Sequence, residues 1–289
     1  MYPSRRRRQP VAPDAAVPRG FVAGLVAADL DGTLLAPDLS HADGLPESLT
    51  RLRAAGARTV ICTGRMFRSA RLVAARLGIH EGPVVCYQGA LIKDLAGGED
   101  WRHVRMDGMV AAEVVRHVKA MDRHLNTYID DLLYVERIND WARQYAEQVE
   151  VGINTVGDMA VEVERRPPTK LVLVTSAADV AEILPGLQER WRGRLYVTRS
   201  QAGYIEFTDA SVSKSAALAW LCERLGVARG EVVALGDGMN DVDMLEWAGL
   251  GVAVEEAAEP VRAAADLVVP RAGVPSLLNG FTGPTSAHK

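Results

Sequence analysis

Short, uninterrupted apolar runs alternating with helical stretches constrain this chain most. Strands without polar alternation are buried on both sides, as in a parallel sheet covered by helices. The runs Leu25 to Asp29, Arg58 to Cys62 and Pro83 to Tyr87 are separated by helical patterns over Pro46 to Ala55 and Met66 to Leu77, stopped by Gly56 and Gly78. The rhythm resumes with a helix over Ser213 to Leu225 stopped by Gly226, then strand Val232 to Leu235, helix Asp241 to Ala248, strand Gly251 to Val254, helix Ala258 to Ala264 and strand Leu267 to Val269. This predicts an α/β fold, a Rossmann-like parallel sheet core with helices on both faces, interrupted in the middle of the chain.

Between Gln88 and Asp209 the texture changes. Ala90 to Lys93 against Trp101 to Arg105, and Asn126 to Ile129 against Leu132 to Glu136 across Asp130-Asp131, read as hairpins. Helices are expected near Gly108 to Met121, Asp140 to Val149 and Ala178 to Trp191, with further strands at Leu171 to Val174, Leu195 to Arg199 and Tyr204 to Thr208. An α+β insert of about 120 residues is large enough to be its own domain. The expected plan is a basic tail over 1–20, a core made of 21–87 and 210–275, the insert over 88–209, and a C-terminal tail over 276–289.

No apolar run approaches the roughly 18 to 20 residues that span a bilayer, so a membrane partner is not expected. The first twenty residues carry Arg5 to Arg8 in series with Pro3, Pro10, Pro13 and Pro18, and read as disordered. The arginines are not followed by the apolar stretch an export signal requires, which argues against export. The chain has 33 Lys plus Arg and 37 Asp plus Glu; the first twenty residues hold five Arg and one Asp, leaving 28 against 36 in the body. An acidic body argues against nucleic acid as the main partner. Cys62, Cys86 and Cys222 lack metal-ligand spacing and fall in apolar runs, which fits a reducing cytoplasm. Oligomeric state is not legible here, and the six histidines form no pair that would clamp a metal from one helix face.

Ligands of open α/β sheets bind beyond the carboxyl ends of the strands, and the polar residues of this chain gather there. Asp29 and Asp31 end the first strand with two carboxylates one residue apart. Alone, that pair reads as readily as an acidic turn. Thr63-Gly64-Arg65 ends the second strand, where a hydroxyl and the free N–H groups of a starting helix suit phosphate oxygens, or where Thr63 simply caps a helix. Lys214 opens the helix after the insert; at a helix N-terminus a cation either meets an anion or reaches into water. Gly236-Asp237-Gly238-Met239-Asn240-Asp241 ends the next core strand with two more carboxylates and an amide. Four acids at one sheet edge call for a divalent cation, and Mg²⁺ takes oxygen ligands together with a substrate phosphate. The residues therefore point to Mg²⁺-assisted phosphoryl transfer.

In order and spacing, Asp29-Leu30-Asp31-Gly32-Thr33, Thr63-Gly64-Arg65, Lys214 and Gly236 to Asp241 resemble the four motifs of the haloacid dehalogenase superfamily of phosphatases. The insert between the second and third motifs resembles the large cap of the Cof-type subgroup. The matched core covers roughly Leu25 to Lys93 and Tyr204 to Pro270. The resemblance implies that Asp29 attacks phosphorus to form an aspartyl-phosphate and that Asp31 acts as general acid and then general base. It further implies that the Asp29 carboxylate, the Asp31 backbone carbonyl and the Asp237 carboxylate bind Mg²⁺ with Asp241 in support, and that Thr63, Lys214 and Asn240 hold the phosphoryl group, to which the N–H groups after Thr63 add Gly64.

Three stretches depart from the subgroup's pattern: Gln88-Gly89-Ala90 in place of Asn-Gly-Ala, Ser215 in place of the glycine after the lysine, and Val254-Glu255-Glu256-Ala257 in place of a Met-Gly-Asn-Ala-like stretch. Arg65, Gln88 and Gly89 are therefore candidates for substrate specificity. The expected activity is hydrolysis of small phosphorylated metabolites, sugar phosphates foremost, with flavin or pyridoxal phosphates as further substrates. A phosphomutase of the same superfamily is the rival enzyme, told apart by transfer to a sugar acceptor. A non-catalytic phospholigand-binding protein is the rival of another class, told apart by binding without turnover.

Overall fold

The computed structural model describes residues 21–283. The basic tail expected over 1–20 lies outside the described residues. In chain order the elements are β1 (Leu25–Ala28), α1 (Leu45–Ala54), β2 (Arg58–Cys62), α2 (Phe67–Arg76), β3 (Pro83–Cys86), β4 (Leu91–Asp94), β5 (Asp100–His103), α3 (Gly108–Ala120), β6 (His124–Ile129), β7 (Leu132–Val135), α4 (Asp140–Gln148) and β8 (Ile153–Thr155). Then follow α5 (Met159–Arg165), β9 (Lys170–Val174), α6 (Ala177–Arg190), β10 (Leu195–Gln201), β11 (Tyr204–Asp209), α7 (Lys214–Leu225), β12 (Val232–Gly236), α8 (Val242–Trp247), β13 (Leu250–Val254), α9 (Glu259–Ala264), β14 (Leu267–Val269) and α10 (Val274–Asn279).

The described residues divide into two compact units, one drawn from the chain up to residue 63, from 74–83 and from residue 214 onward, the other of residues 64–73 and 84–213. In the first unit β14, β13, β12, β1 and β2 lie side by side, with parallel pairing throughout. Every residue of β1, β12 and β13 is buried, the physical reason their sequences carry no polar alternation. Helix α1 packs on α10, and α8 packs on α7 and α9. The pairing of β1 with β12 continues one residue beyond β1, since the Asp29 N–H donates to the Leu235 carbonyl at 3.0 Å. That bond sets the Asp29 side chain at the carboxyl edge of the sheet.

The stretch expected as a tail over 276–289 is part of the fold where it is described, and 284–289 lie outside the described residues. Helix α10 runs to Asn279 with Leu277 and Leu278 buried, and Val22 bridges Thr282. Its six residues are too few to show helical periodicity in the sequence.

The second unit is built on a six-stranded sheet in the order β10-β11-β9-β6-β7-β8. Only the β7–β8 pair in it is parallel. Leu171, Leu173, Ile205 and Phe207 face a core shared with Val114 and Val118 of α3 and with Trp191, whose ring meets Phe207 edge-on at 5.6 Å. Burying each such side chain contributes about 1.5 to 3 kcal/mol. Strand β8 and helix α5 were not expected from the sequence. Val161-Glu162-Val163-Glu164 alternates like a strand, yet the Asp158 carboxylate accepts the N–H groups of Ala160 and Val161 and starts a helix there. Among the described residues no helix is long and apolar enough to cross a membrane.

Candidate active site

Two loops after parallel strands of the first unit, those after β1 and β12, carry its acidic cluster, and the start of α7 supplies the cation that meets it. After β1 the chain turns sharply: the Gly32 N–H donates to Leu35 O at 2.8 Å, and the Leu35 N–H donates to Leu30 O at 2.8 Å. Gly32 has φ +93°, and a Cβ there would overlap the Asp237 carboxylate. Glycine at this position is thus needed twice, for the left-handed backbone and for the close approach. The Thr33 hydroxyl donates to Asp237 Oδ1 at 2.6 Å, and Arg271 Nε donates to the Gly32 carbonyl at 2.8 Å.

Lys214, the first residue of α7, is completely buried. Its Nζ lies 2.6 Å from Asp29 Oδ1 and 2.6 Å from Asp241 Oδ1. The cation is therefore matched by anions, which is what makes it tolerable at a helix N-terminus. Asp241 Oδ2 accepts the N–H groups of Asp237 at 3.0 Å and Gly238 at 2.8 Å, so this carboxylate fixes both the lysine and the loop after β12. A Cβ at Gly236 would collide with Asp241. The Ser215 N–H donates to Asp243 Oδ2 at 2.9 Å, so the serine in place of glycine is accommodated with its backbone capped.

Asp29, Asp237 and Asp241 each offer a carboxylate oxygen, all within 4.8 Å of one another. Burial pushes the Asp29 carboxyl well above its ordinary range; the Lys214 charge opposes this, while the charges of Asp241, Asp237 and Asp31 add to it. Burial, opposed by the Thr33 hydrogen bond and reinforced by Asp241, pushes Asp237 up to about 6. Burial works against the Lys214 ammonium, but Asp241 and Asp29 outweigh it and hold the lysine well above its ordinary value. Burial and mutual repulsion thus disfavour the charged forms of Asp29 and Asp237, which a further cation at their oxygens would favour. An all-oxygen donor set of this size suits a hard divalent cation such as Mg²⁺. Asp237 has an oxygen turned to the glycine-lined side of the loop, whereas both oxygens of Asp241 already accept hydrogen bonds.

Thr63 is buried at the end of β2, and Asn240 is half-buried with its Oδ1 folded against Gly238. Asp31 is half-buried beside the cluster. The structure therefore brings Asp29, Lys214, Asp237 and Asp241 into direct contact range and places Asp31, Thr63 and Asn240 on the loops around them.

Gly64, Arg65, Gln88 and Gly89 belong to the second unit. Gln88 is buried with φ +61°, and its Nε2 donates to Glu206 Oε2 at 3.3 Å. The methylene that distinguishes it from asparagine lets the amide reach that carboxylate. Arg65 NH1 lies 3.2 Å from the Ser69 hydroxyl, within one turn of the chain. Glu256, of the departing stretch after β13, accepts the Arg271 N–H at 3.2 Å. Sequence reasoning missed Thr33, Asp243 and Arg271. Thr33 stood in a quoted motif without a role, and the others lie outside every motif.

Residues 26–274 match the family model of the haloacid dehalogenase-like hydrolases. The chain is similar to pyridoxal phosphate phosphatase YbhA of Escherichia coli, 28% identical over 258 residues that cover 85% of this chain and 92% of the relative. It is also similar to 5-amino-6-(5-phospho-D-ribitylamino)uracil phosphatase YitU of Bacillus subtilis, 26% identical over 256 residues that cover 82% and 88%. Of solved structures, TM0651 from Thermotoga maritima matches with a TM-score of 0.80 at 29% identity, covering 91% of this chain and 99% of that one. The chain belongs to the haloacid dehalogenase-like hydrolases and is a phosphatase among them.

Proposed function

We propose that the protein is a Mg²⁺-dependent phosphatase of small phosphorylated metabolites that works through an aspartyl-phosphate on Asp29. The observation that carries this reading is the convergence of the Asp29, Asp237 and Asp241 carboxylates around one buried lysine. Such a site repels a phosphate dianion unless a cation is added. Asp29 and Asp237 with the Asp31 carbonyl would hold Mg²⁺, and Asp241, its oxygens occupied, would support them through Lys214 and the loop. Bound there, Mg²⁺ supplies charge neutralisation for the transferring phosphoryl group.

In this scheme an oxygen of Asp29 forms the bond to phosphorus as the ester oxygen leaves. Asp31 gives that oxygen its proton. Asp31 then takes a proton from the water that hydrolyses the acyl phosphate, releasing inorganic phosphate and restoring Asp29. Lys214 and Asn240, the Thr63 hydroxyl and the N–H of Gly64 hold the phosphoryl oxygens. Sugar phosphates are the proposed substrates. The relatives named for pyridoxal phosphate and for a phosphoribityl compound support the broader class of small monoesters. No nucleic acid or membrane enters the proposal, and three buried free thiols fit a cytoplasmic setting.

The test is hydrolysis of a panel of sugar, cofactor and nucleotide phosphates with Mg²⁺ or excess chelator, together with acid-quenched peptide mapping. Mg²⁺-dependent release of phosphate and a phosphoryl adduct on the peptide carrying Asp29, both lost in Asp29→Asn, are expected. Full activity in chelator would refute the metal, and activity in Asp29→Asn would refute the covalent route.

A further inference from the structure

In the second unit, several side chains close on the turn that follows β2. Lys170 of β9 is 3% exposed, and its Nζ donates to the Gly64 carbonyl at 2.8 Å and to Glu206 Oε1 at 3.0 Å. The ammonium also lies 5.6 Å from the Tyr87 ring centroid and 5.3 Å from that of Tyr128. Gln88 completes the group through the other oxygen of Glu206. From a second side, Asp131 accepts the N–H groups of Phe67 at 2.9 Å and Arg68 at 3.0 Å and the Tyr87 hydroxyl at 2.7 Å. The Tyr87 N–H donates to Arg65 O at 3.0 Å. The backbone between Gly64 and Arg68 is thus held from both ends by residues far away in the chain.

A buried ion pair contributes little net stability, because desolvating two charges offsets most of their attraction. A methionine at 170 would fill similar volume without that cost. What a lysine does there that methionine cannot is grip a peptide carbonyl at a set distance and direction. The carbonyl it grips belongs to Gly64, adjoining Thr63.

We propose that Lys170, with Glu206 as its counter-ion, is a positioning residue for the phosphoryl group: by holding the Gly64 carbonyl it aims the turn whose Thr63 hydroxyl and Gly64 N–H receive phosphate oxygens. This rests on the phosphoryl-transfer reading above. Lys170 acts on the part of the substrate that all phosphate esters share, so its loss weakens them equally.

The test compares Lys170→Met/Glu206→Gln with the native protein, since the double change leaves no buried charge without its partner. Expected is a rise of about 10- to 100-fold in KM for aryl, sugar and pyridoxal phosphates alike, with the inhibition constant of inorganic phosphate rising in step, the scale on which a small misplacement acts. Where the double variant does not fold, Lys170→Leu/Glu206→Gln, which likewise removes the donor to Gly64 and leaves no unpaired buried charge, carries the same test. Unchanged KM and phosphate inhibition in a folded variant overturn the proposal. So do losses that differ from ester to ester, which would mean direct contact with the leaving group. Asp29→Asn is measured alongside: activity there means the phosphoryl-transfer reading has failed, whereas an inactive Asp29→Asn beside a native-like double variant means only the Lys170 proposal has.

Discussion

The Thr33 hydroxyl donates to Asp237 Oδ1 across 2.6 Å and thereby links the loop after β1 to the loop after β12. This bond favours the charged form of Asp237, against the burial that pushes its pKa up to about 6. Thr33→Val keeps the shape and removes the donor. Asp237 should then hold its proton more tightly and bind a dication less well, by about 10- to 100-fold, the usual effect of losing a partner of a metal ligand. A titration of activity against Mg²⁺ checks this, and an unchanged half-saturation would remove Thr33 from the site.

Lys214 is the cation that lets Asp29 and Asp241 face each other. Lys214→Met should abolish activity and cost about 3 to 5 kcal/mol of stability, as breaking a buried ion pair on one side does. Divalent cation should restore part of that stability, because it would take over the missing charge. Thermal melts with Mg²⁺ and with chelator measure it. A variant as stable as the native protein in chelator would show that the acids neutralise one another by holding protons instead.

What was legible in the sequence depended on how local each signal was. Asp29, Asp237 and Asp241 end apolar strands within short motifs, so the edge they share follows from the order of parallel strands. Lys214 was readable as a cation that meets an anion or reaches into water, and taken alone the sequence favoured water; its position among the motifs pointed to the anion. Lys170 and Glu206 carried no such signal. Each precedes or interrupts an apolar strand in a manner that reads as a solvent-facing position, and their pairing joins residues on strands that are not sequence neighbours. The division of the chain shows the same limit. The sequence boundary falls between 87 and 88 on a change of texture, whereas the second unit also gathers 64–73, held by Lys170 and Asp131 through contacts that no local pattern announces.

Three histidines of the second unit, His103, His117 and His124, are held below the ordinary histidine pKa, in each case chiefly by burial. The unfolded chain then binds protons more readily than the folded one, so stability is lost as pH falls through the ordinary histidine pKa of about 6.5 and below. His103 Nε2 lies 2.8 Å from the Thr169 hydroxyl, and His103→Gln keeps a polar group there that does not titrate. Melting temperatures taken from about pH 7.5 to about pH 5.5 should fall less steeply in this variant. Parallel curves for the two proteins would show that His103 charges freely in the folded state.

Gln88 sits between Tyr87 at φ +52° and Gly89 at φ +109°, itself at φ +61°, so three consecutive residues adopt left-handed backbone. Asparagine tolerates that conformation better than glutamine. Gln88→Asn should therefore relieve backbone strain of about 1 kcal/mol. It should also lose the 3.3 Å bond to Glu206, whose net contribution is of similar size. Stability should change by less than about 1 kcal/mol as the two effects offset. Glu206 would keep Lys170 as partner and Lys170 would keep Gly64, so KM for simple monoesters should stay within about twofold of native, a difference well under 1 kcal/mol. Gln88→Leu separates the two effects, because it retains the strain and leaves one oxygen of Glu206 without its donor; it should be the less stable of the pair. A leucine variant as stable as the asparagine one would show that the Gln88 amide contributes nothing to holding Glu206 in place.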